Sequence, residues 1–330
     1  MGQIARMQRA AATAALLTVA LTGSLLAGCT SEAGRSDGRG ERSEQPSQNS
    51  VRTPATSAAP AGPLLAVKID NVSAARPQTG LDQADIVYAE QVEGGLSRLM
   101  AVFATKLPPV VGPVRSARES DLELLRQFHD PALAFSGAQH KLLPLIDKAP
   151  LTAEPPEKNS GAYFRGGGKI APHNLFLRPR RLLPSAPGAA ALTTGFRFGS
   201  APSGGTPENT RTVRFPSARF TFTWSAQRHR WLVSMDGTPT VTADGTRVAP
   251  ATVVVQYVRV RASRFHDVLG NNSPYSQTVG SGKAQVLRDG KAFDARWQRA
   301  SAAGGTRFTT ADGAPLNFAK GQVWVVLAKA

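Results

Sequence analysis

LLAVKID at 64–70, DIVYAEQ at 85–91 and LMAVFAT at 99–105 are three short apolar runs that end in polar residues. Their length and content predict strands. After a Pro/Gly-rich loop at 108–113, Leu122, Leu125 and Phe128 recur at helical spacing. Glu119, Asp121 and Glu123 fall in the first turns, where the helix dipole favours acids. Ser116 is the expected N-cap, with Glu119 completing a capping box. A buried-type strand at 132–135 and a helix carrying Leu142, Leu143 and Ile146 follow. Strands alternating with helices predict a mixed sheet in an α/β sandwich.

Beyond a Ser/Gly/Pro linker at 199–211 the pattern changes. Short strand-like runs at 212–215, 220–224, 230–235, 252–260, 284–287, 293–299 and 323–328 are separated by Asp-Gly turns at 236, 244, 289 and 312. The expected class is therefore α+β or α/β: a mixed-sheet α/β domain over 64–198, then a smaller all-β domain over 212–330. Arg259 and Arg261 share a strand face there, with Arg264 and His266-Asp267 beyond them.

The N-terminus predicts export. Arg6 and Arg9 precede an apolar stretch at 10–21, and Leu26-Ala27-Gly28 leads into Cys29, the chain's single cysteine. Residues 1–28 read as a lipoprotein signal and Cys29 as its lipidation site. Residues 29–63 are rich in Ser, Gly, Pro and charge and predict a disordered tether spanning about 30 Å. The expected location is the outer face of the cytoplasmic membrane, with the membrane itself as partner through the lipid on Cys29.

The chain has 330 residues, 39 Lys+Arg against 23 Asp+Glu, and a net charge of +16. Residues 64–185 hold 15 basic and 12 acidic residues; residues 186–330 hold 18 and 7. Outside the membrane, nucleic acid is excluded as a sensible partner. Anionic lipid headgroups or an anionic envelope polymer, or an envelope protein, are the accessible ones.

Polar residues gather at the ends of the first-domain strands: Asp70, Asn71 and Arg76, then Glu93 and Arg98, then Arg115, Ser116 and Arg118 at the expected helix start. His173 and Asn174 follow a Gly-rich loop. Open α/β folds bind ligands at strand ends, and a helix start favours an anion. Salt bridging within the set, such as Arg98 with Glu93, is the alternative. No HExxH, EF-hand loop or GxSxG elbow occurs, and Ile170 stands where a P-loop needs Ser or Thr. No metal or other cofactor is expected.

KIDN (68–71), ARPQTGL (75–81), ADIVYAEQVEGG (84–95), SRLMAVF (97–103), VGPVRSAR (111–118), FRGGGKIAPHNL (164–175), GSGKAQVLRDGK (280–291) and GQVWVV (321–326) together resemble the YerB-like bacterial lipoprotein family. The resemblance runs from Leu64 to the end. It implies an N-terminal α/β domain, a C-terminal β-rich domain and no established activity. The expected function is a non-catalytic, lipid-anchored envelope protein linked to cell-wall processes, binding an anionic or polar ligand at these residues. Two alternatives stay open: a hydrolase of wall glycans or phosphate esters using Asp70 or Glu93 with His173, and a structural assembly factor without a small ligand.

Overall fold

The structure is a computed structural model describing residues 62–330 except 268. The expected signal, Cys29 and nearly all of the tether lie outside the described residues.

The first half contains β1 (Leu65–Asp70), β2 (Ile86–Gln91), β3 (Ser97–Phe103), α1 (Glu119–Leu125), β4 (Ala132–Ala134), α2 (Leu143–Asp147), β5 (Thr152–Glu154), β6 (Tyr163–Arg165) and β7 (Leu175–Leu177). The second contains β8 (Thr206–Pro207), β9 (Thr210–Phe215), β10 (Ala218–Ser225), β11 (Arg230–Met235), β12 (Thr238–Pro239), β13 (Thr252–His266), β14 (Asn272–Gln277), β15 (Gly280–Arg288), β16 (Lys291–Arg299), β17 (Arg307–Thr309) and β18 (Val323–Lys329).

Both halves contribute to one 12-stranded sheet in the order β17-β16-β15-β13-β18-β2-β3-β1-β4-β5, with β14 paired to β13 and β8 to β16. The junction is β18 lying parallel to β2, with Val323 opposite Ile86 and Val326 opposite Ala89. β3 is antiparallel to both β1 and β2, so β13, β18, β2, β1, β4 and β5 all run the same way. β6 and β7 form a separate hairpin, and β12-β11-β10-β9 a second sheet.

Period-two alternation builds two cores. On one face Val67, Val87, Ala101, Val255 and Trp324 meet the small sheet through Phe220, Phe222 and Trp231. The rings of Phe220 and Phe222 stand edge-on to Trp324 at 6.2 and 6.0 Å. On the other face Ala66, Tyr88, Met100, Val254 and Val325 pack under Leu124, Leu125, Ile146 and Phe318. Each core draws on both halves. The halves thus share a sheet instead of enclosing separate cores.

The helices are smaller than an α/β sandwich implies. α1 has seven residues and α2 five. α1 also starts later than expected: its N-cap is Arg118, whose backbone N–H donates to the Asp121 carboxylate at 2.6 Å, so Ser116 lies outside the helix. At its other end the fully buried Arg299 donates to the carbonyls of Glu123 (2.9 Å) and Leu124 (3.4 Å), satisfying groups a helix leaves open. Glu123 accepts from Tyr275 Oη (2.7 Å) and from the backbone N–H groups of Thr278 (2.6 Å) and Val279 (3.0 Å). Second-half residues therefore hold α1 in place.

Candidate functional site: a cleft at the strand ends

A cleft of about 580 Å³ opens beyond the carboxyl ends of β1, β2, β4 and β13. Parallel strands deliver their following loops to a common end, which is where such sheets bind ligands. Asp70, Glu93, Arg98, Arg115, Ser116 and Arg118 line it. Its opposite wall comes from the second half, through Phe265–Asp267 at the end of β13 and through Ser273 on β14.

The cleft arginines are not equivalent. Arg118 grips Glu93 through two bonds, Nε to Oε1 at 2.6 Å and Nη2 to Oε2 at 2.7 Å. Ser273 Oγ donates to the same carboxylate. Burial alone pushes the Glu93 carboxyl up, but Arg118 and Ser273 outweigh it and hold the group below the usual range. The expected Arg98–Glu93 pairing is therefore replaced by Arg118–Glu93. That clamp joins the halves as well.

Two side chains approach Asp70. His173 Nδ1 lies 2.8 Å from its Oδ2, and Arg115 Nε 3.2 Å from the same oxygen. Arg115 Nε is buried and makes no hydrogen bond among the described residues. Arg98 Nη1 donates to the Ser116 carbonyl at 3.0 Å, and Arg98 has no ion pair among the described residues. Burial, with the nearby Arg118 charge, pushes the Arg98 guanidinium down to about 9. It remains a cation at neutral pH.

The other expected residues do structural work away from the cleft. Asn71 is buried and donates to Ser97 Oγ at 2.9 Å. Arg76 donates to the Asn71 carbonyl and pairs with Asp236, both at 2.7 Å, which ties the first half to the small sheet. Asn174 accepts from Arg165 at 2.7 Å. His173 reaches the site only through Asp70.

Strand-end reasoning missed a buried charged cluster. Lys68 is fully buried and donates to Asp121 Oδ1 at 2.7 Å and to Glu90 Oε1. Ser120 Oγ donates to the other Glu90 oxygen at 2.8 Å. One cation faces two carboxylates in a low-dielectric interior. Burial and the Asp121 charge accordingly raise the Glu90 carboxyl to about 7.

Linkage gives the sign of the pH dependence. A carboxyl whose folded pKa stands above its ordinary 4.5 favours the fold while protonated, so its contribution is complete below pH 4.5 and is lost as pH rises through 7. The loss is about 3 kcal/mol, at about 1.4 kcal/mol per pH unit. Glu90→Gln is expected to flatten the Tm-against-pH curve over that window, measured by differential scanning calorimetry. A slope equal to wild type would contradict the assignment.

Two family models match the chain. "Protein of unknown function (DUF3048) N-terminal domain" covers residues 51–192, and the corresponding C-terminal domain covers residues 211–325. Together they cover more than half of the sequence. The chain belongs to the DUF3048 family. The chain is 47% identical over 64 residues to the protein named "Putative lipoprotein YerB" of Bacillus subtilis (strain 168); that match spans 19% of each sequence. The crystal structure of YerB from Bacillus subtilis superposes with a TM-score of 0.67 at 21% identity, covering 81% of this chain and 91% of that one. The fold is therefore shared across most of both chains. The two family models meet in this structure at the β18–β2 junction and across the cleft.

Proposed function

We propose that this DUF3048 protein is a lipid-anchored, extracytoplasmic binding protein of the cell envelope. Its cleft would hold a small anionic or polar ligand through Arg98 and Arg115, without transforming it. One observation carries this reading. Arg98 and Arg115 both line the cleft, where Arg98 has no ion pair among the described residues and Arg115 shares Asp70 with His173. A ligand oxygen bonded to a guanidinium gains about 1.5–3 kcal/mol, as hydrogen bonds to charged groups do. The largely apolar wall around these groups, including Val92, Leu142 and Phe265, suits a ligand with an acidic group on an apolar body. The Leu-Ala-Gly-Cys29 sequence and the YerB relative's name support the anchor.

The test is thermal unfolding of the full chain with small-molecule extracts of its own cell envelope. A ligand at a hundred times its Kd adds about 2.7 kcal/mol, or roughly 5–10 °C in Tm. Arg115→Ala is expected to abolish the shift and keep the ligand-free Tm within a few degrees. An equal shift in wild type and variant would refute the assignment.

The Asp70–His173 contact favours a second reading, hydrolysis of wall glycans or phosphate esters. Against it, Arg118 and Ser273 already occupy Glu93, and its lowered pKa makes it a weak base and a poor acid. Turnover of purified wall material that disappears in Glu93→Gln would reverse the preference.

A further inference from the structure

The second-half charge has a definite place on the fold. β15 and β16 pair with Lys283 opposite Arg296, and β16 pairs with β17 with Arg296 opposite Thr309 and Gln298 opposite Arg307. Directly opposed residues of antiparallel strands point to the same side, as do residues two apart on one strand. Lys283, Arg296 and Arg307 therefore share a face, and all three are exposed. On β13, Tyr257 and Arg259 also share one side, and Tyr257 is 37% exposed. None of these four cations forms an ion pair among the described residues. Asp294 is the carboxylate on the same face of β16, bonded to Gln285 at 3.3 Å.

The band also has a concave anchor point. β13 leaves β15 after Gln256 and continues against β14 from Arg259. There the surface opens into a trough of about 630 Å³, lined by Tyr257, Arg259, Lys283 and Trp297. The floor depends on Gly282, where a Cβ would lie 2.7 Å from Trp297 Nε1.

We propose that this band binds a linear polymer of repeating phosphate charges, seated in the trough beside Tyr257. Shape selects the polymer over a membrane. Neighbouring strands rotate by about 20–25°, so four strands turn the row by roughly 60–75° over some 14 Å. A flat headgroup layer meets only part of such a row, whereas a flexible chain follows all of it. Tyr257 carries a phenolic O–H that donates to a phosphate oxygen, beside the cations Arg259 and Lys283. The surface is separate from the cleft, and neither depends on the other being occupied.

The test is binding of labelled inorganic polyphosphate to the full chain, by fluorescence anisotropy across a salt series. Four neutralised phosphates give a slope of log K against log salt of roughly −3. Lys283→Glu with Arg296→Glu is expected to cost at least tenfold in affinity and halve that slope, with Tm unchanged. Tyr257→Phe is expected to weaken binding severalfold. Arg228→Glu, on the exposed turn between β10 and β11, is expected to leave binding within twofold. Three results would each overturn the proposal: no polyphosphate binding by wild type, equal binding by the double variant, or binding to phosphatidylglycerol vesicles without binding to polyphosphate.

Discussion

Residues 62–198 expressed alone are expected to lose the native fold, although a family model of their own matches most of that stretch. Removing the rest strips β18 from β2 and leaves open the edge of a buried strand whose first four residues are Ile, Val, Tyr and Ala. It also removes Trp324, Phe220 and Phe222 from one core and Val254, Val325 and Phe318 from the other. Gln322 Nε2, which donates to the carbonyls of Leu81 (2.9 Å) and Ala84 (2.8 Å), goes too. An exposed apolar edge of this kind pairs with other chains. The fragment should aggregate or melt without a cooperative transition, while the full chain unfolds in one step by circular dichroism. A soluble fragment with a sharp melt near the full chain's Tm would mean that the shared sheet is dispensable.

Lys68→Met is expected to destabilise the full chain by about 3–5 kcal/mol at pH 7, because removing one partner strands the other buried charges. Glu90 and Asp121 would face each other with no cation in a site closed to water. The penalty should shrink on acidification, since protonating Glu90 relieves it. Adding Glu90→Gln to Lys68→Met should recover a good part of the loss at pH 7. Urea titrations of the wild type, single and double variants measure all three quantities. A single variant costing under 1 kcal/mol, or no rescue, would contradict the cluster's role.

The strands were legible because their apolar runs are short and sharply bounded. The 230–235 run matches β11 residue for residue. β18 was legible as a strand but its partner was not. VWVVLA is apolar on both faces, as a buried parallel strand requires, yet nothing local says that its neighbour lies more than 200 positions earlier. β13 was cut short at Val260 because Arg259, Arg261 and Arg264 mask its continuation; it runs on to His266, and that extension supplies the far wall of the cleft.

The site was legible as a gathering of charge at strand ends, but not as a set of pairs. Whether Glu93 meets Arg98 or Arg118 depends on how the chain before α1 folds back over β3, a tertiary outcome. The buried cluster did leave a trace. Lys68 is the one charged residue within the apolar part of LLAVKID, and a strand buried on both faces keeps a charge only when that charge has partners.

If both halves build one ligand site, amide hydrogen exchange of the full chain with and without envelope extract shows it most directly. Protection is expected to appear together in 92–98, 115–118 and 265–267, each of which contributes residues to the cleft. Protection confined to one half, or appearing only away from these segments, would contradict it.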